Sequence, residues 1–420
     1  MPWKVSGVVE KRRLFVEEWL SGNWTMTTLC ARHEISRQAG YNTLTRYECG
    51  GWEGLEERSR AARRHPNQTP AETERRIVAL RQEHMRWGPR KLKAVLESQQ
   101  PERSWPATST MGELLRREGL VIPRKKRPRV EPYTAPFAAA NAPNRLWCGD
   151  FKGWSRTQDG ERIDPLTLSD ACSRYLLRCQ AVQKTDTAGV QAIVDAAFRE
   201  YGLPDAIRTD NGPPFASRAI AGLSRLTVWW MKLGIVHERI QPAHPEQNGR
   251  HERMHLTLQQ ETMIPMAANR RAQQRRFDQF RREYNELRPH EALGLRPPAS
   301  CYTLSPRPYP TRVPEPEYGP AMTVRRVQAG GQFSWKHQEV FVSETLAGEP
   351  IGLEPIDDRW YTIYFAELAL AQFDSRTLTL HRLPPEKIFD RAEAGERELP
   401  PSPAPHPQNP DQKVSTMSPV

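Results

Sequence analysis

The stretch Arg208-Thr209-Asp210-Asn211-Gly212-Pro213-Pro214-Phe215 constrains the fold more than any other. Ala206-Ile207 just before it reads as the close of a short buried strand. The glycine and the two prolines then forbid a regular continuation. One carboxylate, Asp210, is thereby held at the carboxyl end of a strand. A rigid strand end suits a hard divalent cation, which needs oxygen ligands that keep their places. A single acid cannot hold a catalytic metal, so its partners must come from elsewhere in the chain.

Two strings supply candidates. Leu146-Trp147-Cys148-Gly149-Asp150-Phe151-Lys152-Gly153 sets Asp150 in an apolar, aromatic run that reads as a central strand, and the segment from Pro242 to Arg253 opens a helix carrying Glu246 and Glu252. As a set, WCGDFKG, TDNGPPF and HPEQNGRHER resemble the catalytic core of DDE transposases and retroviral-type integrases. The nearest likeness is to bacterial insertion-sequence transposases with an integrase-like core, and it extends over the chain up to its proline-rich tail.

That resemblance implies an α/β fold, a ribonuclease H-like mixed sheet flanked by helices. N-terminal all-α helix-turn-helix domains would precede it and a small SH3-like β-barrel would follow. It implies Asp150, Asp210 and a Glu as the catalytic, metal-binding triad. Between Asp210 and Glu246 lie 35 residues, the spacing of many integrase-like cores; between Asp210 and Glu252 lie 41. Glu252 is the choice, because the family's Glu follows an Asn-Gly or Gln-Gly pair by three residues, as in Asn248-Gly249-Arg250-His251-Glu252. Glu246 falls before that pair in a proline-bounded turn. The longer spacing is accommodated in Ile220–Arg225, ahead of the next helix.

The implied chemistry is in-line attack on phosphodiesters, first by water at the element end and then by the freed 3′-hydroxyl on target DNA. Two Mg²⁺ ions, for which Mn²⁺ can substitute, would sit about 3.5–4 Å apart. Asp150 would bridge them, with Asp210 on one and Glu252 on the other. Lys152, Arg250 and Arg253 would offset the clustered negative charge and hold phosphates. His244 and His251 are either proton shuttles or simply solvated or helix-capping residues. Asp170 reads as a turn acid rather than a ligand.

Charge distribution points to the same partner. The net charge is +11, and Met1 to Val130 alone holds 26 Lys+Arg against 15 Asp+Glu, so this third carries the whole excess. A concentrated basic excess favours a polyanion, most often nucleic acid. Here the expected partner is double-stranded DNA, as terminal inverted repeats and as target. Six scattered cysteines without a CxxC pair read as reduced thiols. The amino-terminal region has no zinc-ligand spacing, no run of eighteen or so apolar residues occurs and no signal peptide opens the chain, so the expected location is cytoplasmic, on the nucleoid, without a membrane.

Along the chain, residues 1–60 read as a first helix-turn-helix domain. It has an amphipathic helix at 8–20, a short one at 28–33 and a third from Ser36 to about Tyr47. Arg37, Gln38, Asn42 and Arg46 would face DNA bases; the plainer reading is an ordinary three-helix bundle. Residues 68–122 resemble a second such domain, opened by a Thr69-Pro70-Ala71-Glu72 capping box. Arg90, Lys91 and Lys93 would contact phosphates there. A basic linker (123–143) is either an arm along DNA or a solvated connector.

The integrase core is expected over 144–304. Its strands fall at 146–153, 162–169 and 174–182, followed by helix 187–201 and the Asp210 strand. Helix 216–233 buries Leu226, Trp229, Trp230 and Leu233, a last strand covers 234–237, and helices span 249–264 and 269–288. Residues 321–383 alternate as short strands of the small barrel, and 391–420 read as a disordered tail. Handling two element ends together implies a homo-oligomer, a dimer or tetramer on DNA. Readings of other classes are a catalytically silent, transposase-derived DNA-binding regulator and a nuclease that cuts without joining.

Overall fold

The computed structural model describes residues 7–57, 68–121, 140–217, 219–240 and 249–383. It falls into two compact units, Met1–Ala71 and Glu72–Val420. In the first, α1 (Val8–Leu20), α2 (Met26–Arg32) and α3 (Arg37–Gly50) enclose Phe15, Val16, Leu29, Cys30, Leu44 and Leu55. Thr25 and Ser36 cap α2 and α3 by accepting from the backbone amides of Thr28 and Ala39, which satisfies donors every helix start leaves open. Gly40 allows the close approach of α2 and α3, since a Cβ there would lie 2.6 Å from Cys30 Sγ.

The second unit opens with α4 (Ala71–Glu83), α5 (Pro89–Gln99) and α6 (Thr108–Arg117) around Ile77, Trp87, Leu92, Met111 and Leu115. Helix α4 starts at Ala71, just inside the expected capping box. A buried Arg81 guanidinium donates to the carbonyls of Trp87 and Leu120, and Leu287 from the later chain packs on this bundle.

The central sheet follows: β1 (Leu146–Phe151), the two-residue β2 (Ser155–Arg156), β3 (Arg162–Asp170), β4 (Leu176–Val182), β5 (Ala206–Thr209) and β6 (Val236–Arg239). Strands β1, β3 and β4 are antiparallel neighbours, while β5 joins β1 and β6 joins β5 in parallel. Between them run α7 (Thr187–Tyr201) and α8 (Arg225–Lys232), followed by α9 (Gly249–Thr262) and α10 (Arg270–Arg282). Side chains alternate across a strand, so the sheet feeds two cores. Trp147, Leu166, Leu168 and Ile207 meet α7 and α8 through Val194, Phe198, Leu226 and Trp230. Ile163, Cys179 and Ala181 meet α9 and α10 through Met254, Leu258 and Phe277. This is the ribonuclease H-like arrangement of a mixed sheet between helical layers.

One expected helix is shorter than anticipated. Only Arg225–Lys232 of 216–233 is helical, begun by Ser224 accepting from Thr227 N. Before it the chain makes a loop with a 3₁₀ turn at Ile220–Gly222, in which Ala221 takes a φ of 55°. The reason is tertiary: Ile220, Leu223 and Val228 are buried in the core of the C-terminal sheet. That sheet is a five-stranded antiparallel array of β7 (Thr323–Arg326), β10 (Pro350–Pro355), β11 (Trp360–Phe365), β12 (Leu368–Asp374) and β13 (Thr379–Arg382). A hairpin of β8 (Gln332–Trp335) and β9 (Gln338–Phe341) shares its core. A Lys232–Glu349 ion pair of 2.9 Å adds to the contact. The expected helix 269–288 ends as α10 at Arg282 and continues as a π-turn over Glu283–Leu287. The basic linker up to 139, the tail from 384, and His244 and Glu246 lie outside the described residues.

Candidate active site

Asp150 is the fifth residue of β1, and Asp210 immediately follows β5. The parallel register pairs Cys148 with Arg208. Two residues on, along both strands, stand Asp150 and Asp210. Equal displacement by two keeps both side chains on one face of the sheet, the face covered by α9. Asp150 also sits opposite Thr167 of β3, whose hydroxyl lies 2.6 Å from His251 Nε2 and 2.7 Å from His255 Nε2 on that helix.

Asp210 is half-buried, and its Oδ1 is buried without a hydrogen-bond partner among the described residues. Burial lifts its pKa above the usual carboxylate value, against the pull of the Gly212 backbone amide. Gly212 is required by a close approach: a Cβ there would lie 2.9 Å from Asp210 Oδ2. An orphaned carboxylate oxygen is costly and fits an oxygen-seeking cation.

Glu252 lies in the first turn of α9 and is exposed. It precedes by one turn His255, whose Nδ1 lies 3.9 Å from Asp150 Oδ2. Residues three apart are neighbours on a helix surface, with Cβ atoms about 5–6 Å apart. The fold thus brings Asp150 and Asp210 to the carboxyl ends of two adjacent central strands and Glu252 to the helix that covers that face.

His251 is neither solvated nor a cap. It is 2% exposed, bonded to Thr167 and, through Nδ1, to Ser169 Oγ at 3.1 Å. Burial drives its pKa down to about 3 and depresses that of His255 as well, so both rings are neutral near pH 7. Asp150, His251 and His255 form one cluster whose ligand atoms all lie within 4.8 Å. Sequence reasoning missed His255, although the four-residue spacing from His251 was a signal, since it sets both rings on one helix face. Asp170 is the turn acid expected. Its Oδ1 accepts from Asn144 N at 2.8 Å and its Oδ2 from Ser173 N and Oγ at 2.7 and 2.6 Å.

The Integrase core domain family matches residues 140–245 and again 233–298, and a Homeodomain-like domain matches 39–115. An insertion element IS476 protein of 39.2 kDa from Xanthomonas euvesicatoria is 32% identical over 287 residues, which is 67% of this chain and 79% of that one. The chain belongs to the insertion-element transposases of the retroviral-integrase-like superfamily. An insertion element IS407 protein of 31.7 kDa from Burkholderia multivorans is 31% identical over 229 residues, 53% of this chain and 78% of that one. The HTLV-2 integrase catalytic core domain, solved in complex with magnesium, is 16% identical. It aligns over 39% of this chain and 98% of its own, with a TM-score of 0.31. Membership gives the chain a general role in DNA transposition and puts its core in the polynucleotidyl transferase superfamily.

In this transposase the basic residues expected at DNA have different surroundings. Arg37, Gln38 and Asn42 are exposed on α3, with Gln38 donating to Asn42 at 3.2 Å. Arg46 instead turns back, donating to the carbonyl of Gly54 at 2.9 Å and to that of Glu56, and so clamps the segment after α3. Arg90 is exposed, and Lys93 pairs with Glu97 at 3.6 Å. Lys91 faces inward. Burial and the Arg288 guanidinium bring its pKa down to about 8, against Glu261 and Glu291. A single sequence could not show these surroundings, because the carbonyls that Arg46 meets and the charges around Lys91 come from other segments. Arg253 is exposed and Lys152 half-buried. Arg250 lies on α9, its side chain outside the described residues. No helix among the described residues is long and apolar enough to cross a membrane.

Proposed function

We propose that this protein cleaves the ends of its element and joins them to target DNA, with Asp150, Asp210 and Glu252 as the catalytic set. The observation that carries the reading is the buried Oδ1 of Asp210, without a hydrogen-bond partner among the described residues, level with Asp150 on the neighbouring strand. These three carboxylates would hold divalent cations, Mg²⁺ with Mn²⁺ as a substitute. When bound, the cations supply Lewis-acid activation and charge neutralisation at the phosphate. In the first step water oxygen bonds to phosphorus and the P–O3′ bond breaks, releasing the element's 3′-hydroxyl. In the second, that hydroxyl bonds to a target phosphorus and the target's own 3′-oxygen leaves. Each displacement exchanges one oxygen on phosphorus for another, the attacker giving up a proton and the leaving 3′-oxygen taking one, so no covalent enzyme intermediate is needed.

The chain's own contribution is positioning. Strands β1 and β5 fix two acids rigidly, and α9 carries the third. Exposed Arg253, with Lys152 and Arg250, holds phosphates against the site; Arg37, Gln38 and Asn42 read bases, and Arg90 grips the backbone. Double-stranded DNA is the partner, as inverted repeats and as target, bound by a dimer or tetramer. Incubating the protein with labelled inverted-repeat ends, plasmid target and Mg²⁺ or Mn²⁺ tests this. Joined products support the proposal. Cut ends alone would mean a nuclease, and a mobility shift without cutting would mean a regulator.

A further inference from the structure

Proton counting at Thr167 gives His255 a role that the three carboxylates alone do not suggest. The Thr167 hydroxyl has one proton to donate and two lone pairs. Its Oγ1 lies 3.2 Å from the Asp150 carbonyl oxygen, 2.6 Å from His251 Nε2 and 2.7 Å from His255 Nε2. A carbonyl can only accept. All three contacts are hydrogen bonds in one assignment alone: the hydroxyl donates to Asp150 O, and both Nε2 atoms donate to the hydroxyl. In each ring Nδ1 is then the nitrogen left for another partner. That of His251 accepts from Ser169 Oγ at 3.1 Å. That of His255 faces Asp150 Oδ2 at 3.9 Å. This nitrogen and the carboxylate oxygen face each other across a gap that one cation could bridge.

We propose that His255 Nδ1 is a metal ligand beside Asp150, so that one position of the catalytic site takes a mixed nitrogen–oxygen donor set and favours first-row transition dications such as Mn²⁺ over Mg²⁺. The inference rests on the reading of Asp150 as a metal-binding carboxylate. Imidazole donors suit first-row transition ions, whereas Mg²⁺ prefers oxygen. A ligating histidine almost always donates its other ring N–H to a fixed partner, and here Thr167 is that partner. Ligand atoms about 2.1 Å from one ion stand about 3.0–3.4 Å apart at octahedral or tetrahedral angles. Asp150 and His255 therefore need to close by less than about 1 Å.

A different metal reading is set aside by the same geometry. His251-Glu252-Arg253-Met254-His255 matches the H-E-x-x-H pattern of zinc peptidase helices, in which both histidines bind one ion. In this fold both Nε2 atoms converge on the Thr167 hydroxyl, which occupies the place such an ion would need. His251 has both nitrogens engaged, and Nδ1 of His255 is the one turned to a carboxylate.

The test uses the full-length protein with Mn²⁺ alone, read by pulsed electron paramagnetic resonance and by titration of free Mn²⁺. The expected spectrum carries ¹⁴N coupling from an imidazole. The coupling is lost in His255→Asn and His255→Gln and kept in His251→Asn. Mn²⁺ affinity falls about tenfold or more in the His255 variants, while Mg²⁺ affinity changes less. If wild-type Mn²⁺ shows no ¹⁴N coupling, yet Asp150→Asn releases the ion, the histidine ligand is wrong and the carboxylate site stands. If Mn²⁺ fails to bind, or Asp150→Asn leaves its binding unchanged, both readings fall. Should the variants not fold, the wild-type spectrum still decides whether an imidazole binds the ion.

Discussion

At the end of the central sheet where β1 begins, Asp170 is buried and every lone-pair direction that matters is answered. Asn144 N, Ser173 N and Ser173 Oγ all donate to it. Asn144 in turn accepts from Trp147 Nε1 and from the Tyr302 hydroxyl and donates to Thr303 O. At the end where β1 finishes, Asp210 keeps a buried oxygen with no donor among the described residues. Burial raises the pKa of both acids, so burial does not distinguish them. What does is hydrogen-bond satisfaction: one end of the sheet is closed by its own chain, whereas at the other Asp210 Oδ1 finds no donor among the described residues.

The largest expected effect tests that contrast directly. Asp150→Asn, Asp210→Asn and Glu252→Gln should each reduce end joining by about 10³-fold or more, while gel-shift affinity for inverted-repeat DNA stays within about twofold. Asp170→Ala should behave in the opposite way. It should lower unfolding free energy in urea by about 2–4 kcal/mol, because buried donors lose their acceptor, and should leave the activity of the folded fraction intact. Activity loss without destabilisation in Asp170→Ala would erase the distinction.

A smaller effect concerns another satisfied group, one strand from Asp210. His237 is bonded to Thr209 Oγ1 and Thr227 Oγ1, both at 2.9 Å, and burial lowers its pKa from 6.5 to about 3. The unfolded chain then takes up this proton first as pH falls. Stability from this group is complete above pH 6.5 and is lost as pH falls from 6.5 toward 3, on the order of a few kcal/mol across the window. Melting curves over that range should show the loss, and His237→Gln should flatten it.

The smallest effects separate the α3 residues. Arg37→Ala or Asn42→Ala should weaken DNA binding by about 1 kcal/mol or more in a shift assay, with melting unchanged. Arg46→Ala should cost about 1–2 kcal/mol of stability through lost bonds to Gly54 and Glu56 and leave the affinity of the folded fraction nearly unaltered.

The same contrast explains what could be read before folding. Local signals carried far: Ser36 caps α3, α7 spans Thr187–Tyr201 as expected, and Asp150 and Asp210 stand at strand ends because apolar runs and a Gly-Pro-Pro turn put them there. What stayed hidden depends on distant partners. Arg46 finds carbonyls beyond its own helix, Lys91 is desolvated beside the Arg288 charge, and His251 and His255 are drawn to a threonine on β3. Ile220 and Leu223 have helical spacing, but their burial against the C-terminal sheet holds residues 219–224 in a loop. Side chains such as these are decided by tertiary packing, which propensity and period do not see.

Thermal melting with and without Mg²⁺, for the wild type, Asp210→Asn and Asp170→Asn, tests the unmatched sheet end most directly. A cation bound only by the folded state stabilises by about 2.7 kcal/mol at a hundred times its dissociation constant. The wild type should therefore melt higher as Mg²⁺ rises, Asp170→Asn should start lower and gain the same increment, and Asp210→Asn should gain almost none. An equal Mg²⁺ increment in Asp210→Asn and the wild type would contradict the account.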